Sequence, residues 1–128
     1  MNALRELRPL TYEDFAGEHV LVAAAERDLQ VAIQAALDIG SSILAGVNAG
    51  FPQTYSDIFP SLGDLGVLPA DFAARLANMA KFRNVLVHLY VEVDTALVYR
   101  YIQENLEDFE VFARYVSTWL EEHGAEGP

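Results

Sequence analysis

The chain has 128 residues, a formal net charge of −11 and no cysteine. This length predicts a single domain over residues 1–128, and the absence of cysteine excludes disulfides, thiolate metal sites and a cysteine nucleophile. The negative charge argues against a general affinity for polyanions, so any contact with a polyanion must be local.

At the N-terminus, Met1 to Pro9 lack the apolar core of a signal peptide. No membrane span is predicted, because no run reaches about 18 uncharged apolar residues. The hydrophobic fraction is 52%, and much of it is alanine, which suits closely packed helices and an apolar subunit interface. We therefore expect a soluble, cytoplasmic oligomer without contact to a membrane.

In chain order, the first predicted element is a short helical segment that Pro9 disturbs. We expect residues 1–10 and residues 124–128 to be loosely ordered. From Glu18, apolar residues recur at the spacing of one helix face, which predicts a long helix that ends near Gly46. The predicted buried stripe of this helix is Leu21, Ala25, Leu29 or Asp28, Ala32, Ala36, Ile39 and Ile43.

A short helix is predicted to begin at a polar cap in residues 54–57 and to end at Leu62, before a turn over residues 63–66. Pro69 is well placed to open the next helix. That helix is predicted to end between residues 89 and 91, because the β-branched valines there weaken helical preference. Its apolar positions are Phe72, Leu76, Met79, Phe82 and Leu86.

The last predicted helix is capped by Asp94 and stopped by Gly124. Its predicted buried stripe is Val98, Ile102, Leu106 or Asn105, Phe109, Phe112, Val116 and Leu120. No strand-like alternation or interdomain linker interrupts these patterns. The sequence therefore predicts an all-α fold, an up-and-down bundle of four to five helices.

The otherwise apolar run of residues 79–90 contains several polar side chains, among them Arg83, Asn84, His88 and Tyr90. Cleavage of RNA without a metal requires a base for the 2′-hydroxyl, an acid for the leaving 5′-oxygen and a cation for the phosphate. His88 can act as acid or base near neutral pH, and Arg83 offers planar donors that match phosphate oxygens. Asn84 lies about 40° from His88 on an ideal helix and could orient the imidazole. Arg83, Asn84 and His88 are the candidate catalytic residues, and no cofactor or metal ligand set is predicted.

In-line displacement places the attacking and leaving oxygens on opposite sides of phosphorus, yet one chain offers a single histidine in this run. A two-fold homodimer would supply two, with both copies of Arg83, Asn84 and His88 lining one cleft. We therefore predict a homodimer.

The spacing Arg83-x-x-x-x-His88-x-Tyr90 resembles the signature of HepT-type toxins of the HEPN family, and the resemblance covers most of residues 26–112. It implies a HEPN-like bundle, a homodimer and a metal-independent endonuclease for RNA such as tRNA or mRNA. It also implies a type VII-like toxin–antitoxin pair, in which an MNT-type nucleotidyltransferase antitoxin transfers AMP to Tyr90. A bulky anionic nucleotide beside His88 would block the cleft and repel substrate phosphates.

The same residues also have structural readings. His88 could cap a helix C-terminus, where the dipole favours a cation, with Arg83 as a surface ion-pair partner. Tyr90 could be a packed aromatic residue with a satisfied hydroxyl. The alternative function is therefore a non-catalytic dimeric helical bundle that binds a nucleotidyltransferase-like partner.

Two further segments have two readings each. The first is an acidic run, Glu104, Glu107, Asp108 and Glu110. We predict that it is a solvated helix face, although it could also bind a basic surface of an antitoxin. Residues 99–101, Tyr-Arg-Tyr, interleave aromatic and basic side chains as RNA-stacking surfaces do, although core packing is the favoured reading.

Overall fold

The computed structural model describes residues 2–47, 54–87 and 94–123, and within these residues the chain is helical with no strand. The helices are α1 (Asn2–Arg5), α2 (Tyr12–Ala16), α3 (His19–Gly46), α4 (Ile58–Leu65), α5 (Ala70–Val87), α6 (Thr95–Glu104) and α7 (Glu107–His123), with a 3-10 turn at Tyr55–Asp57 before α4. The all-α prediction is confirmed. The longer helices, α3 to α7, match the predicted bundle of four to five, and α1 and α2 are short additions of 4 and 5 residues.

The central helix is α3, which contacts each of the other six described helices. It begins at His19 and ends at Gly46, as the periodicity predicted. An 18-residue window of α3 has a mean hydropathy of 1.3, so by length and composition this helix could cross a membrane. We expected no run to qualify. The packing of the other helices against one side of α3 accounts for its apolar composition, because that side forms the core.

Ala25, Leu29 and Ala36 of α3 are buried as predicted, but the rest of the buried face differs from the predicted stripe. Ile33 and Leu37 are fully buried, whereas Ile39 is 45% exposed. The cause is the close approach of α4 at Gly40, where an added Cβ would lie 2.7 Å from Cγ2 of Ile58. Because α4 packs over this small residue, the contact face is centred on Gly40 and Ile39 turns to the surface.

The end of α4 differs from the prediction. The helix continues past Leu62 to Leu65, so most of the predicted turn over residues 63–66 is helical. The chain reverses at Gly66, whose φ of 93° lies in the left-handed region that favours glycine. The backbone N–H of Val67 then closes the helix by donating to the carbonyl of Leu62 at 2.9 Å. The next helix opens after Pro69, as predicted.

The single last helix that we predicted is two helices. Asp94 caps α6 as expected, since its Oδ1 accepts from the backbone N–H of Ala96 at 3.0 Å. The helix then breaks at Asn105. The side chain of Asn105 donates to Oδ2 of Asp108 at 3.1 Å, and such a local side-chain hydrogen bond competes with continuation of the helix. The break turns Leu106 fully into the core. Leu120, predicted to be buried on α7, is 48% exposed.

The N-terminal segment, described from Asn2, contacts the rest of the fold, whereas we expected residues 1–10 to be loosely ordered. Leu4 is 1% exposed within the core. The guanidinium of Arg8 donates from Nε to the carbonyl of Ile102 at 2.9 Å, and its two terminal nitrogens lie 2.6 and 2.7 Å from the carboxylate of Glu107. Residues 124–128 lie outside the described part of the chain.

On the predicted solvated face Glu104, Glu107 and Glu110 are exposed, whereas Asp108 is buried, and each of these four carboxylates is paired with an arginine. The ion pairs are Arg100–Glu104, Arg8–Glu107, Arg75–Asp108 and Arg5–Glu110. Hydrogen bonds from Arg8 lower the pKa of Glu107 to about 2. Three of these pairs join α7 to α1, α5 and the segment after α1, and the fourth, Arg100–Glu104, lies within α6.

Candidate active site

The C-terminal half of α5 is anchored in the core, which fixes the position of the candidate catalytic residues on this helix. Met79, Ala80 and Phe82 are buried. The ring of Phe82 stacks on Tyr101 of α6, with centroids 4.3 Å apart and an angle of 6° between the planes. Burial raises the pKa of Tyr101, so its hydroxyl stays neutral. A rigid helix therefore carries Arg83 immediately after a packed aromatic residue.

Arg83 is half-buried beside an aromatic ring. Its Cζ lies 4.7 Å from the ring centroid of Tyr55, a cation–π geometry. Its Nη1 donates to Oδ1 of Asn84 across 3.3 Å. Its Nε is buried and has no hydrogen-bond partner among the described residues. Within the described residues, Nε of Arg83 is therefore a buried donor without an acceptor.

The ion pairs among residues 2–47, 54–87 and 94–123 do not include Arg83. This bears on the structural reading, which required Arg83 to be a surface ion-pair partner. A cation that is half-buried without a carboxylate partner in that part of the chain is suited to binding an anion from outside.

Tyr55 is held by the short 3-10 turn that precedes α4. The hydroxyl of Thr54 donates to the carboxylate of Asp57 at 3.1 Å, and the backbone N–H of Asp57 donates to the carbonyl of Thr54 at the same distance. The following residues Ile58 and Phe59 are buried in the core. The turn therefore places the ring of Tyr55 against α5 from a fixed base.

The structure brings Arg83 and Asn84 together, but His88 and Tyr90 lie outside the described residues. The amide oxygen of Asn84 contacts Arg83, so in the described residues Asn84 orients the guanidinium. Its predicted role toward the imidazole of His88 stays a prediction.

Sequence reasoning missed Tyr55. Its position in the sequence could have indicated it. Tyr55 is an aromatic residue among the polar residues that precede a helix, where the chain needs no side chain for the core.

Residues 99–101 pack as the favoured reading predicted. The hydroxyl of Tyr99 donates to the carbonyl of Leu10 at 2.6 Å, and Tyr101 stacks on Phe82. Arg100 is exposed and pairs with Glu104. The two tyrosine rings therefore face the protein, and this segment is not an RNA-stacking surface.

In the described ranges no three or more His, Cys, Asp or Glu side chains are grouped so that they could hold a metal ion. The described part of the site instead consists of a guanidinium, an amide and an aromatic ring. Together they describe an all-α bundle with a half-buried arginine near the end of one helix.

A family profile described as Ribonuclease HepT-like matches residues 1–116. The chain is 28% identical over 120 residues to the tRNA nuclease HepT of Aphanizomenon flos-aquae, an alignment that covers 94% of this chain and 82% of that protein. It is 33% identical over 85 residues to the mRNA nuclease HepT of Shewanella oneidensis, covering 66% of this chain and 64% of that protein.

Solved structures share the fold. The tri-AMPylated HEPN toxin of Shewanella oneidensis, in complex with its MNT antitoxin, superposes with a TM-score of 0.83 and 26% identity over 91% of this chain and 87% of that one. A toxin–antitoxin structure with AMP-PNP superposes with a TM-score of 0.78 and 25% identity, covering 90% and 89% of the two chains. The chain belongs to the HepT-like ribonuclease family. The predicted family and its ribonuclease class are therefore confirmed.

Proposed function

We propose that this chain is the toxin of a toxin–antitoxin pair, a metal-independent endoribonuclease neutralised by AMP transfer to Tyr90. The observation that carries the proposal is the half-buried guanidinium of Arg83, which has a buried donor without a partner in the described residues and no carboxylate beside it there. Family membership and relatives named as tRNA and mRNA nucleases support an RNA substrate. A protein of net charge −11 needs such a local cation to bind RNA.

In this proposal Arg83 binds the scissile phosphate and stabilises the charge that develops on its oxygens during cleavage. His88 acts as acid or base, and Asn84 holds the catalytic groups in orientation. A two-fold homodimer places a second His88 on the other side of the phosphorus, so that one imidazole accepts the 2′-hydroxyl proton and the other protonates the 5′-oxygen. The chemistry requires no metal, and the toxin acts in the cytoplasm.

The proposed antitoxin is an MNT-type nucleotidyltransferase that uses Tyr90 as its acceptor. The similar Shewanella oneidensis toxin is AMPylated and bound to an MNT antitoxin, which supports this partner. The tyrosine hydroxyl attacks the α-phosphate of ATP, pyrophosphate leaves, and the hydroxyl proton goes to a base. The AMP adds negative charge beside His88 and excludes the RNA phosphate.

Replacing His88 or Arg83 by alanine tests the nuclease. Wild-type protein is expected to cut RNA in the presence of a chelator, and His88→Ala and Arg83→Ala are expected to lose at least about a hundredfold in rate. Arg114→Ala is the matched control, because Arg114 is an exposed arginine of α7. Equal cleavage, or equal absence of cleavage, by wild type and both variants would favour the alternative, a non-catalytic dimeric bundle that binds a nucleotidyltransferase-like partner.

The mass of the intact chain tests the neutralisation. After co-expression with the nucleotidyltransferase, the wild-type chain is expected to gain one or more AMP units, and Tyr90→Phe is expected to gain none. An AMP-bearing Tyr90→Phe chain would place the acceptor elsewhere.

A further inference from the structure

We propose that Tyr55 is a positioning residue for RNA cleavage, whose ring holds the guanidinium of Arg83 in the orientation in which it meets the phosphate. The inference rests on the proposed function, because it assigns Tyr55 a role through Arg83. Tyr55 lies 28 positions before Arg83 in the sequence, outside the signature that predicted the site.

Two contacts define the orientation of the guanidinium. Cζ of the planar guanidinium lies over the ring of Tyr55, 4.7 Å from the ring centroid. Asn84 accepts from Nη1 at 3.3 Å, which limits rotation within that plane. Because the ring contacts the cation without accepting a directed hydrogen bond, guanidinium donors remain for phosphate oxygens. The donor set is therefore fixed before substrate binds.

The core does not need an aromatic residue at this position. Tyr55 is 43% exposed, whereas Ile58 and Phe59, which anchor the same segment, are 4% and 0% exposed. An aromatic ring held at the surface against a cation lowers the freedom of a long side chain that would otherwise sample many rotamers. Preorganising a charged group in this way raises the rate of the chemical step more than it changes substrate binding.

The experiment compares Tyr55→Leu with Tyr55→Phe in RNA cleavage under a chelator. Tyr55→Leu is expected to lower kcat about tenfold and to change KM by less than about twofold, because the ring that orients Arg83 is lost. Tyr55→Phe keeps the ring and is expected to stay within about twofold of wild type. Tyr115→Leu is the matched control, since Tyr115 is also a partly exposed tyrosine but packs against Phe72, with ring centroids 5.5 Å apart.

A mutant cycle separates positioning from a structural role. In an Arg83→Lys background, adding Tyr55→Leu is expected to reduce kcat by less than about twofold, because the planar group that the ring orients is already gone. Melting temperatures of all variants are measured alongside. If Tyr55→Leu has a lower melting temperature than wild type, Tyr55→Phe and the mutant cycle still distinguish a positioning role from a structural one.

Three results would overturn the inference: wild-type kcat in Tyr55→Leu, equal loss in Tyr55→Phe and Tyr55→Leu, or an undiminished effect of Tyr55→Leu in the Arg83→Lys background. Failure of the proposed function has a different signature, because Arg83→Ala would then cut RNA like wild type. An inactive Arg83→Ala with a fully active Tyr55→Leu would reject the role of Tyr55 alone.

Discussion

Nε of Arg75 lies 2.8 Å from Oδ2 of Asp108 and joins α5 to α7. Asp108 is 6% exposed, and it is the buried charged residue of the described core. The same Oδ2 accepts from the side chain of Asn105, where α6 and α7 separate. This carboxylate therefore links the helix that carries the candidate site to the break between the last two helices.

Removing Arg75 should destabilise the fold more than removing an arginine from a surface pair. Arg75→Ala leaves a buried carboxylate without its charge partner, and we expect a loss of about 1–3 kcal/mol in the free energy of unfolding. The loss is smaller than for an ion pair with both partners buried, because the side chain of Arg75 is half exposed. Arg100→Ala breaks only the exposed pair with Glu104 and should cost about 0.5 kcal/mol or less. Urea titrations measure both. Equal losses would show that Asp108 does not depend on Arg75.

The close contact at Gly40 should make this position intolerant of a methyl group. A Cβ there would lie 2.7 Å from Ile58 Cγ2 and 3.0 Å from Leu62 Cδ1, so Gly40→Ala should lose about 1–3 kcal/mol as α4 is pushed from α3. Gly46→Ala on the same helix is the control, because no atom lies within 4 Å of its added Cβ. It should be neutral or slightly stabilising, since alanine favours helix. Thermal unfolding of the two variants tests this prediction. A Gly40→Ala protein as stable as Gly46→Ala would contradict the close packing of α4 against α3 at Gly40.

The pair of Arg8 and Glu107 predicts a pH-dependent contribution to stability. Hydrogen bonds from Arg8 lower the pKa of Glu107 from its ordinary 4.5 to about 2. Because the folded state holds the carboxylate more strongly ionised than the unfolded state, the contribution is complete above about pH 4.5 and is lost as pH falls through about 2. Glu107→Gln should therefore melt below wild type at pH 7, and the two curves should converge towards pH 2.

The control for that experiment is Glu122→Gln, an exposed position of α7. Its melting temperature should follow wild type across the same range of pH. A Glu107→Gln deficit that persists unchanged at pH 2 would mean that the side chain contributes through packing and not through its charge.

Replacing Arg83 by lysine should impair cleavage although the positive charge remains. An ammonium is a point charge without the planar donor set, so it cannot contact Asn84 and the phosphate in the same arrangement, and we expect kcat to fall about a hundredfold. Arg114→Lys, at an exposed position, should leave kcat unchanged. Initial rates of RNA cleavage at saturating substrate test this prediction, and full activity of Arg83→Lys would show that charge alone suffices.

Local chemistry made several parts of this protein predictable. The period of apolar residues from Glu18 gave the bounds of α3, Pro69 marked the start of α5, and Asp94 marked the cap of α6. Arg83 and Asn84 were found as polar interruptions of an apolar helix. Each of these features depends on residues within a few positions of one another, so sequence spacing is enough to identify it.

Contacts between distant segments decided the rest. The face that α3 buries depends on α4 packing against Gly40, and the break at Asn105 places Asp108 where Arg75 reaches it. The ring of Tyr55 meets Arg83 only because the turn before α4 folds back against α5. No periodicity records such contacts, because their free energy depends on which surfaces meet when the helices pack.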